Sequence, residues 1–477
     1  MFAPSLILDT DSYKLSHRRQ YPPGTQSVSC YIEARGGAWP EILFFGLQAW
    51  LKARLSQPVT LADIDEAEAF CDAHFGRSDV FDRAGWLHIV EAHGGRLPVS
   101  IEALPEGTIV GPHVPVLQIR NTDPDCFWLP GHLETALLRA VWYPSTVASL
   151  SLACHRLLAT ALERTADDLS ALPFQLHDFG ARGASSEAAA ALGGAAHLLN
   201  FRGSDTLSGA LLARRCYAEP MAGQSIPAAE HATVTAWGQA RETDAYRAVI
   251  RGFAGEGRML AFVVDSYDVW NALDHLVGEA LHDEIRDCGA RVVIRPDSGD
   301  PVRVLPEVVE RLMRRFGART NTRGFRLLPD YLRVIQGDGV TPQSLPAILG
   351  ALEQRGLSTE NCAFGMGGGL LQKLDRDTLG WAMKASEVVI DGTPRPIHKA
   401  PVDAPGKASR AGRWAVCGAP GALRPIPESE AAAGSNQLRE VWRDGELRID
   451  ETFSRLRERV AAQRQAAALA TESRTSL

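Results

Sequence analysis

Val292-Val293-Ile294 runs directly into Arg295-Pro296-Asp297-Ser298-Gly299, an apolar stretch that stops at a cation, a carboxylate and a glycine. A continuous apolar run without alternation reads as a strand buried on both faces, the mark of a parallel sheet covered by helices. The pattern recurs on either side. Upstream stand Phe174-Gln175-Leu176 before His177-Asp178-Phe179-Gly180, His197-Leu198-Leu199 before Asn200-Phe201-Arg202-Gly203-Ser204-Asp205, and Ala261-Phe262-Val263-Val264 before Asp265-Ser266-Tyr267-Asp268. Downstream follow Val334-Ile335 before Gln336-Gly337-Asp338-Gly339, and Cys362-Ala363-Phe364 before Gly365-Met366-Gly367-Gly368-Gly369. Helix-compatible stretches separate these runs, so residues 151–390 read as an α/β domain. A closed barrel gathers every polar cluster at one mouth; an open doubly wound sheet gives similar strings, and the barrel is the preferred form.

The flanks read differently. Residues 1–150 hold β-like pieces such as Ser27–Ile32 and Thr108–Val110 between Pro/Gly turns, an α+β domain. Residues 391–477 turn to Pro, Gly and charge and end in an Arg/Ala/Glu-rich stretch from Thr452, expected to be an exposed helix and tail that packs back on the N-terminal domain. With 477 residues, 45% hydrophobic, the chain can bury a large core. Its formal net charge of -7 offers nothing global to a polyanion, so nucleic acid is not an expected partner. No apolar stretch approaches a membrane span, and the brief Leu6-Ile7-Leu8 run is too short for a signal peptide. The eight cysteines show no CxxC and no framework spacing, so reduced buried thiols are expected rather than a zinc site. A cytoplasmic protein follows.

Several strand-end clusters carry chemistry. Gly367-Gly368-Gly369 offers backbone N–H groups with no side chains in the way, as a phosphate cradle needs, although a tight turn has the same composition. Arg295 can grip phosphate oxygens in a fork while Asp297 holds vicinal hydroxyls; an internal salt bridge is the plainer alternative. Gln336-Gly337-Asp338-Gly339 falls beside them. His231 can transfer a phosphoryl group or serve as a structural residue, with Asp265 or Asp268 setting its tautomer. Phe179 and Tyr13 are either packing or a stacking clamp for a planar ring, and Asp205 is most simply a cap for the next helix. Only six of the 50 basic residues are lysine: Lys14, Lys52, Lys373, Lys384, Lys399 and Lys407. Where Arg carries the surface charge, these mark places that need a compact ammonium.

Taken together, Asp11-Ser12-Tyr13-Lys14, Tyr31-Ile32-Glu33-Ala34-Arg35, Val141-Trp142-Tyr143-Pro144, His177–Gly183, Pro227–His231, Asp265–Asp268, Ile294–Gly299, Val334–Gly339 and Gly367–Lys373 resemble the nicotinamide phosphoribosyltransferase family over most of the chain. The resemblance implies a barrel-like α/β domain of the type II phosphoribosyltransferase kind, a second α+β domain built from both chain ends, and a homodimer with shared active sites. It implies nicotinamide, phosphoribosyl pyrophosphate and ATP as substrates, with Mg²⁺ as cofactor and no protein-held metal. Phe179 and Tyr13 of the partner subunit are then expected to sandwich the pyridine ring, and Asp205 to accept the carboxamide N–H. Arg295, Asp297, Gly337, Asp338, Gly367 and Gly368 are expected around the ribose and its phosphates, with Arg376 of the partner subunit on the 5′-phosphate. Arg182, Arg35, Lys384, Lys399 and Lys407 are expected to surround the pyrophosphate, Asp11 to join the substrate-binding set, Asp268 to belong to the catalytic set, and His231 to serve ATP as a phosphohistidine. Two departures stand out: Met366 replaces a small polar residue, and Val264 stands where a Ser is usual.

Two rival chemistries share these residues. A nicotinate phosphoribosyltransferase keeps the sugar-phosphate site but not Asp205, and a metal-dependent barrel hydrolase takes His177, Asp178, His231, Asp265 and Asp268 as ligands. A nucleotide-binding protein without turnover is the third reading.

Overall fold

The computed structural model describes residues 4–403 and 408–475, so Lys407 lies outside the described residues. The chain divides into two compact units, one of Met1–Ser149, Leu212–Glu219 and Asp375–Leu477, the other of Leu150–Leu211 and Pro220–Leu374.

The second unit is built on six parallel strands. Across the sheet they run Gly203–Ser204, Leu176–Asp178, Cys362–Met366, Leu332–Gln336, Arg291–Arg295 and Met259–Val263. Phe262, Val292, Ile294, Val334 and Phe364 are wholly buried, as strands covered on both faces require. The ladder is open, yet its two edges share a neighbour: Gly203 bridges Gln224 and Ala261 bridges Ala228. Ser204 N–H donates to Gln224 O and Ala229 N–H to Ala261 O, each at 3.0 Å. Pro227 has no N–H to give, which keeps the connecting stretch 224–229 from becoming a regular stave. The sheet is therefore curled and barrel-like, an open half-barrel whose gap is crossed by irregular backbone.

One expected strand is a helix. His197-Leu198-Leu199 closes the helix Glu187–His197, which Ser186 caps by accepting Ala189 N–H at 3.1 Å. Its alanines favour a helix strongly. The strand of this repeat is the two-residue Gly203–Ser204 that follows.

In the first unit a seven-stranded sheet runs Thr393–Pro396, Trp381–Ile390, Thr25–Ala34, Pro115–Asn121, Val99–Ala103, Arg439–Arg443 and Glu446–Leu447. Strands from both chain ends thus share one sheet. Asp375–Ile390, grouped by sequence with the middle segment, fall in this unit because Trp381–Ile390 pairs with Thr25–Ala34. The final helix, Phe453–Thr475, is less exposed than its composition suggests. Phe453, Leu456 and Val460 are fully buried at i, i+3, i+7 spacing, and Gln463 accepts Ile109 N–H at 2.9 Å. Two scarce lysines have ion-pair partners here: Lys14 meets Glu134 and Lys52 meets Asp450, both at 2.6 Å. Among the described residues no helix is long and apolar enough to cross a membrane.

Candidate active site

Parallel strands deliver their C-terminal ends to one mouth. Asp178 pairs with both Ser204 and Met366, so Phe179, Asp205 and Gly367, the next residues, emerge side by side. Gly337 follows Gln336 on the neighbouring strand.

Phe179 is held by its backbone and by missing side chains. Its N–H donates to Met366 O at 3.0 Å. A Cβ on Gly365 would lie 2.1 Å from Phe179 Cε2, and one on Gly337 3.6 Å from the same atom. Gly365 clears room for the ring, whereas a Cβ on Gly337 would only touch it. Below it, Ala261, Val293 and Ile335 form the apolar lining against which Phe179, Ile226 and Ala363 pack. Small residues leave the interior partly hollow: a cavity of about 730 Å³ is lined by Met259, Arg291, Val293, Val334, Ile335 and others toward the strands' N-terminal ends.

Asp205 is exposed, and its Oδ1 accepts the Ser225 hydroxyl. The capping of the next turn falls instead to Ser204, whose Oγ accepts Thr206 N–H at 3.0 Å. No cation pairs with Asp205 among the described residues, so its charge is available to a ligand. Ser225 carries no sequence signal beyond its loop. Asp178 is fully buried, and its Oδ1 accepts Gly180 N–H at 2.7 Å; burial pushes its carboxyl up to about 6. His177 sits against Gly203, with burial lowering its ring's pKa. Successive residues of a strand face opposite ways. His177 and Asp178 therefore do not converge as metal ligands.

Arg295 Nη2 donates to Asp297 Oδ2 at 3.3 Å, while Arg295 Nε is buried without a hydrogen-bond partner. Asp297 Oδ1 overhangs Gly337, 2.5 Å from where its Cβ would be. Gln336, fully buried, donates through Nε2 to Asp338 O at 2.8 Å and fixes that turn, leaving the Asp338 side chain exposed. A Cβ on Gly368 would meet nothing within 4 Å, so open space lies in front of the short helix Gly368–Leu371. A Cβ on Gly183, beside exposed Arg182 on the Ala181–Gly183 turn, would lie 3.6 Å from the Gly368 backbone. Met366 is wholly buried under this turn and Val264 is buried as well, so neither departure puts a side chain into the mouth.

His231 Nε2 lies 3.2 Å from Asp265 Oδ1. Asp268 is engaged elsewhere, since its Oδ1 accepts Trp270 N–H at 2.9 Å and Asn271 N–H at 3.1 Å, capping Val269–Asn271. Orientation of the imidazole thus belongs to Asp265, which sequence could not separate from Asp268.

The remaining candidates belong to the first unit. Tyr13 is 59% exposed, and Asp11 Oδ2 accepts the Thr135 hydroxyl at 2.7 Å. Lys384 sits opposite Tyr31 on paired strands. Burial first, and then the positive charge of Arg35, Lys399 and Arg376, lowers the Lys384 ammonium's pKa, so these four cations share one field. Arg35 Nε and Nη2 are buried with no hydrogen-bond partner, although Nε lies 3.8 Å from the Oε1 of buried Glu33. Cations gathered with unmet donors suit a polyanion.

Residues 174–446 match the profile of the Nicotinate phosphoribosyltransferase (NAPRTase) family, and residues 5–101 match that of the Nicotinamide phosphoribosyltransferase N-terminal domain. The chain is 48% identical over 470 residues to the nicotinamide phosphoribosyltransferase of Xanthomonas campestris pv. campestris (strain 8004), covering 97% of this chain and 99% of that one. In fold it is similar to the nicotinate-nucleotide pyrophosphorylase of Pyrococcus furiosus, with a TM-score of 0.62 at 19% identity over 96% of this chain and 94% of the other. It is also similar to human nicotinic acid phosphoribosyltransferase, with a TM-score of 0.60 at 18% identity over 95% and 93%. The chain is an enzyme of the pentosyltransferase class and belongs to the nicotinate phosphoribosyltransferase (NAPRTase) family.

Proposed function

We propose that the protein transfers the phosphoribosyl group of phosphoribosyl pyrophosphate to the ring nitrogen of nicotinamide, giving nicotinamide mononucleotide and pyrophosphate in pyridine nucleotide salvage. The observation that carries the choice of base is Asp205: an exposed carboxylate with no ion-pair partner among the described residues, one strand across from Phe179. A carboxylate there accepts a carboxamide N–H and repels the carboxylate of nicotinate.

Phe179 stacks on the base from one side, and the exposed Tyr13 of the partner subunit closes the other. Arg295 and Asp297 hold the ribose and its phosphates, Gly337, Asp338, Gly367 and Gly368 leave room for the nucleotide, and Arg376 of the partner subunit meets the 5′-phosphate. Arg182, Arg35, Lys384 and Lys399 gather the pyrophosphate, and the unmet donors of Arg35 support that role. Asp297 and Asp338 offer the hard oxygens that suit Mg²⁺, an ion that keeps several waters and rides mainly on substrate phosphates. When bound, the ion withdraws charge from the leaving pyrophosphate. The chain's part is positioning and electrostatics as the anomeric carbon becomes cationic, with no side-chain nucleophile on the sugar. With Nε2 facing Asp265, His231 keeps Nδ1 for the γ-phosphoryl group of ATP, releasing ADP. The eight free thiols support a reducing cytoplasmic setting.

The test is product formation by purified protein with phosphoribosyl pyrophosphate, Mg²⁺ and either nicotinamide or nicotinate, with and without ATP. Mononucleotide from nicotinamide and not from nicotinate is expected. Turnover of nicotinate alone would overturn the role given to Asp205.

A further inference from the structure

Within the first unit, away from the residues assigned to substrate, side chains of metal-ligating type meet. His88 and His93 lie on the helix Arg83–His93. Their Nε2 atoms both reach a single oxygen, Asp123 Oδ2, at 2.7 and 2.6 Å. The other oxygen of Asp123 accepts Asp125 N–H at 2.9 Å, and the main-chain carbonyl of Asp123 accepts Asn121 Nδ2 at 2.8 Å. Asp123 is therefore fixed from behind, with Oδ2 left to face the imidazoles. The turn it starts, Pro124–Cys126, carries the buried Cys126 to the same place. One ligand atom each from His88, Asp123 and Cys126 lies within 4.8 Å of the other two, and no other such group of His, Cys, Asp and Glu occurs among the described residues.

We propose that His88, Asp123 and Cys126, whose ligand atoms converge, form the core of a structural zinc-class site that fastens the helix Arg83–His93 to the Pro124–Cys126 turn, with His93, which reaches the site through Asp123 Oδ2, moving in as the fourth ligand. Two imidazole nitrogens, one carboxylate oxygen and one thiolate make a borderline-soft set that suits Zn²⁺ or Co²⁺ and not Mg²⁺ or Ca²⁺. The carboxylate and thiolate carry the two negative charges that offset a dication. Bonds of about 2.0–2.3 Å around a tetrahedral ion place neighbouring ligand atoms about 3.3–3.7 Å apart. The imidazoles must therefore back away from Asp123 by roughly 0.7 Å on this geometry. They have the freedom to do so, since the His88 and His93 side chains are 36% and 28% exposed. The same exposure gives the ion a path in, while Cys126 and the braced Asp123 supply the fixed wall. With one cysteine in the set and the ligands divided between a helix and a distant turn, the site leaves no CxxC-like signature in the sequence.

The full-length protein, dialysed against a chelator and then returned to chelator-free buffer, is titrated with Zn²⁺ in competition with a chromophoric chelator. In parallel it is titrated with Co²⁺ and its absorbance is followed. One tight equivalent per chain is expected, with a thiolate-to-cobalt charge-transfer band. The paired substitution His88→Gln/His93→Gln should lose the tight equivalent, and Cys126→Ser should lose the band. Because Cys126 is buried and its variant can misfold, the histidine pair, which is partly exposed, decides the matter. Absence of tight Zn²⁺ binding by the unsubstituted chain, or an unchanged equivalent in the histidine pair, overturns the site and leaves two imidazoles hydrogen-bonded to a carboxylate.

Discussion

Phe179 owes its place to what its neighbours lack. Gly365 has no Cβ to fill the space its ring occupies, and its φ is not positive, so close approach of the ring is the reason for glycine there. Gly365→Ala should displace the ring while leaving the strand paired. Losing a stacking partner worth about 0.5–1.5 kcal/mol predicts a KM for nicotinamide raised roughly 2- to 13-fold. The KM for phosphoribosyl pyrophosphate should stay near its original value. Steady-state kinetics with each substrate varied in turn reads both, and a nicotinamide KM that does not move removes Phe179 from the base site. Asp205→Asn keeps shape and removes charge. A charge-assisted hydrogen bond of about 1.5–3 kcal/mol predicts a fall in nicotinamide kcat/KM of about 10- to 150-fold, with nicotinate no longer repelled. Competition between the two bases measures the ratio, and an unchanged ratio would mean that Asp205 does not read the amide.

At the scale of elements, five of the six strands were legible as apolar runs because burial on both faces writes hydrophobicity into consecutive residues. The sixth was misplaced. Gly203–Ser204 is too short to show a run, and the apolar residues before it belong to an Ala/Gly-rich helix end. In that helix Gly194 serves tertiary contact with Gly209 of the following helix Leu207–Tyr217, and not a turn. A Cβ on Gly209 would come 2.6 Å from Gly194 C and 2.8 Å from Ala195 N, both backbone atoms that cannot step aside. Gly209→Ala should therefore cost about 1–3 kcal/mol by overpacking, even though alanine has the better helix propensity. Thermal unfolding checks the sign: a Tm equal to or above that of the unsubstituted protein would show that the two backbones do not meet this closely. The strand-end places of Phe179, Arg295 and Asp297 were legible because each follows an apolar run. Asp265 was not separable from Asp268, since only three-dimensional structure shows which carboxylate caps a helix and which meets His231.

For the molecule as a whole, the union of chain ends in one sheet makes stability depend on groups far apart in sequence. Glu106 is such a group. Its carboxylate is 7% exposed and accepts N–H from Gly46 and Gln48 and the hydroxyl of Tyr217. Desolvation outweighs these three donors and pushes its carboxyl from 4.5 up to about 7, with the charge of Glu451 adding to the rise. An acid whose folded pKa exceeds its unfolded value favours the folded state at low pH. Between 4.5 and about 7 the folded chain keeps a proton that the unfolded chain has released, so this contribution declines as pH rises. At 1.36 kcal/mol per unit the decline is about 3 kcal/mol, a few degrees of Tm in a chain this long. Glu106→Gln has no proton to lose. Each protein's Tm is measured across the window, and the unsubstituted chain minus the variant gives the contribution of Glu106, since the other titrating groups are common to both. That difference should shrink as pH rises from 4.5 to about 7 and then level off. A difference that grows instead would mean that the three donors outweigh burial and that Glu106 is held as a carboxylate throughout.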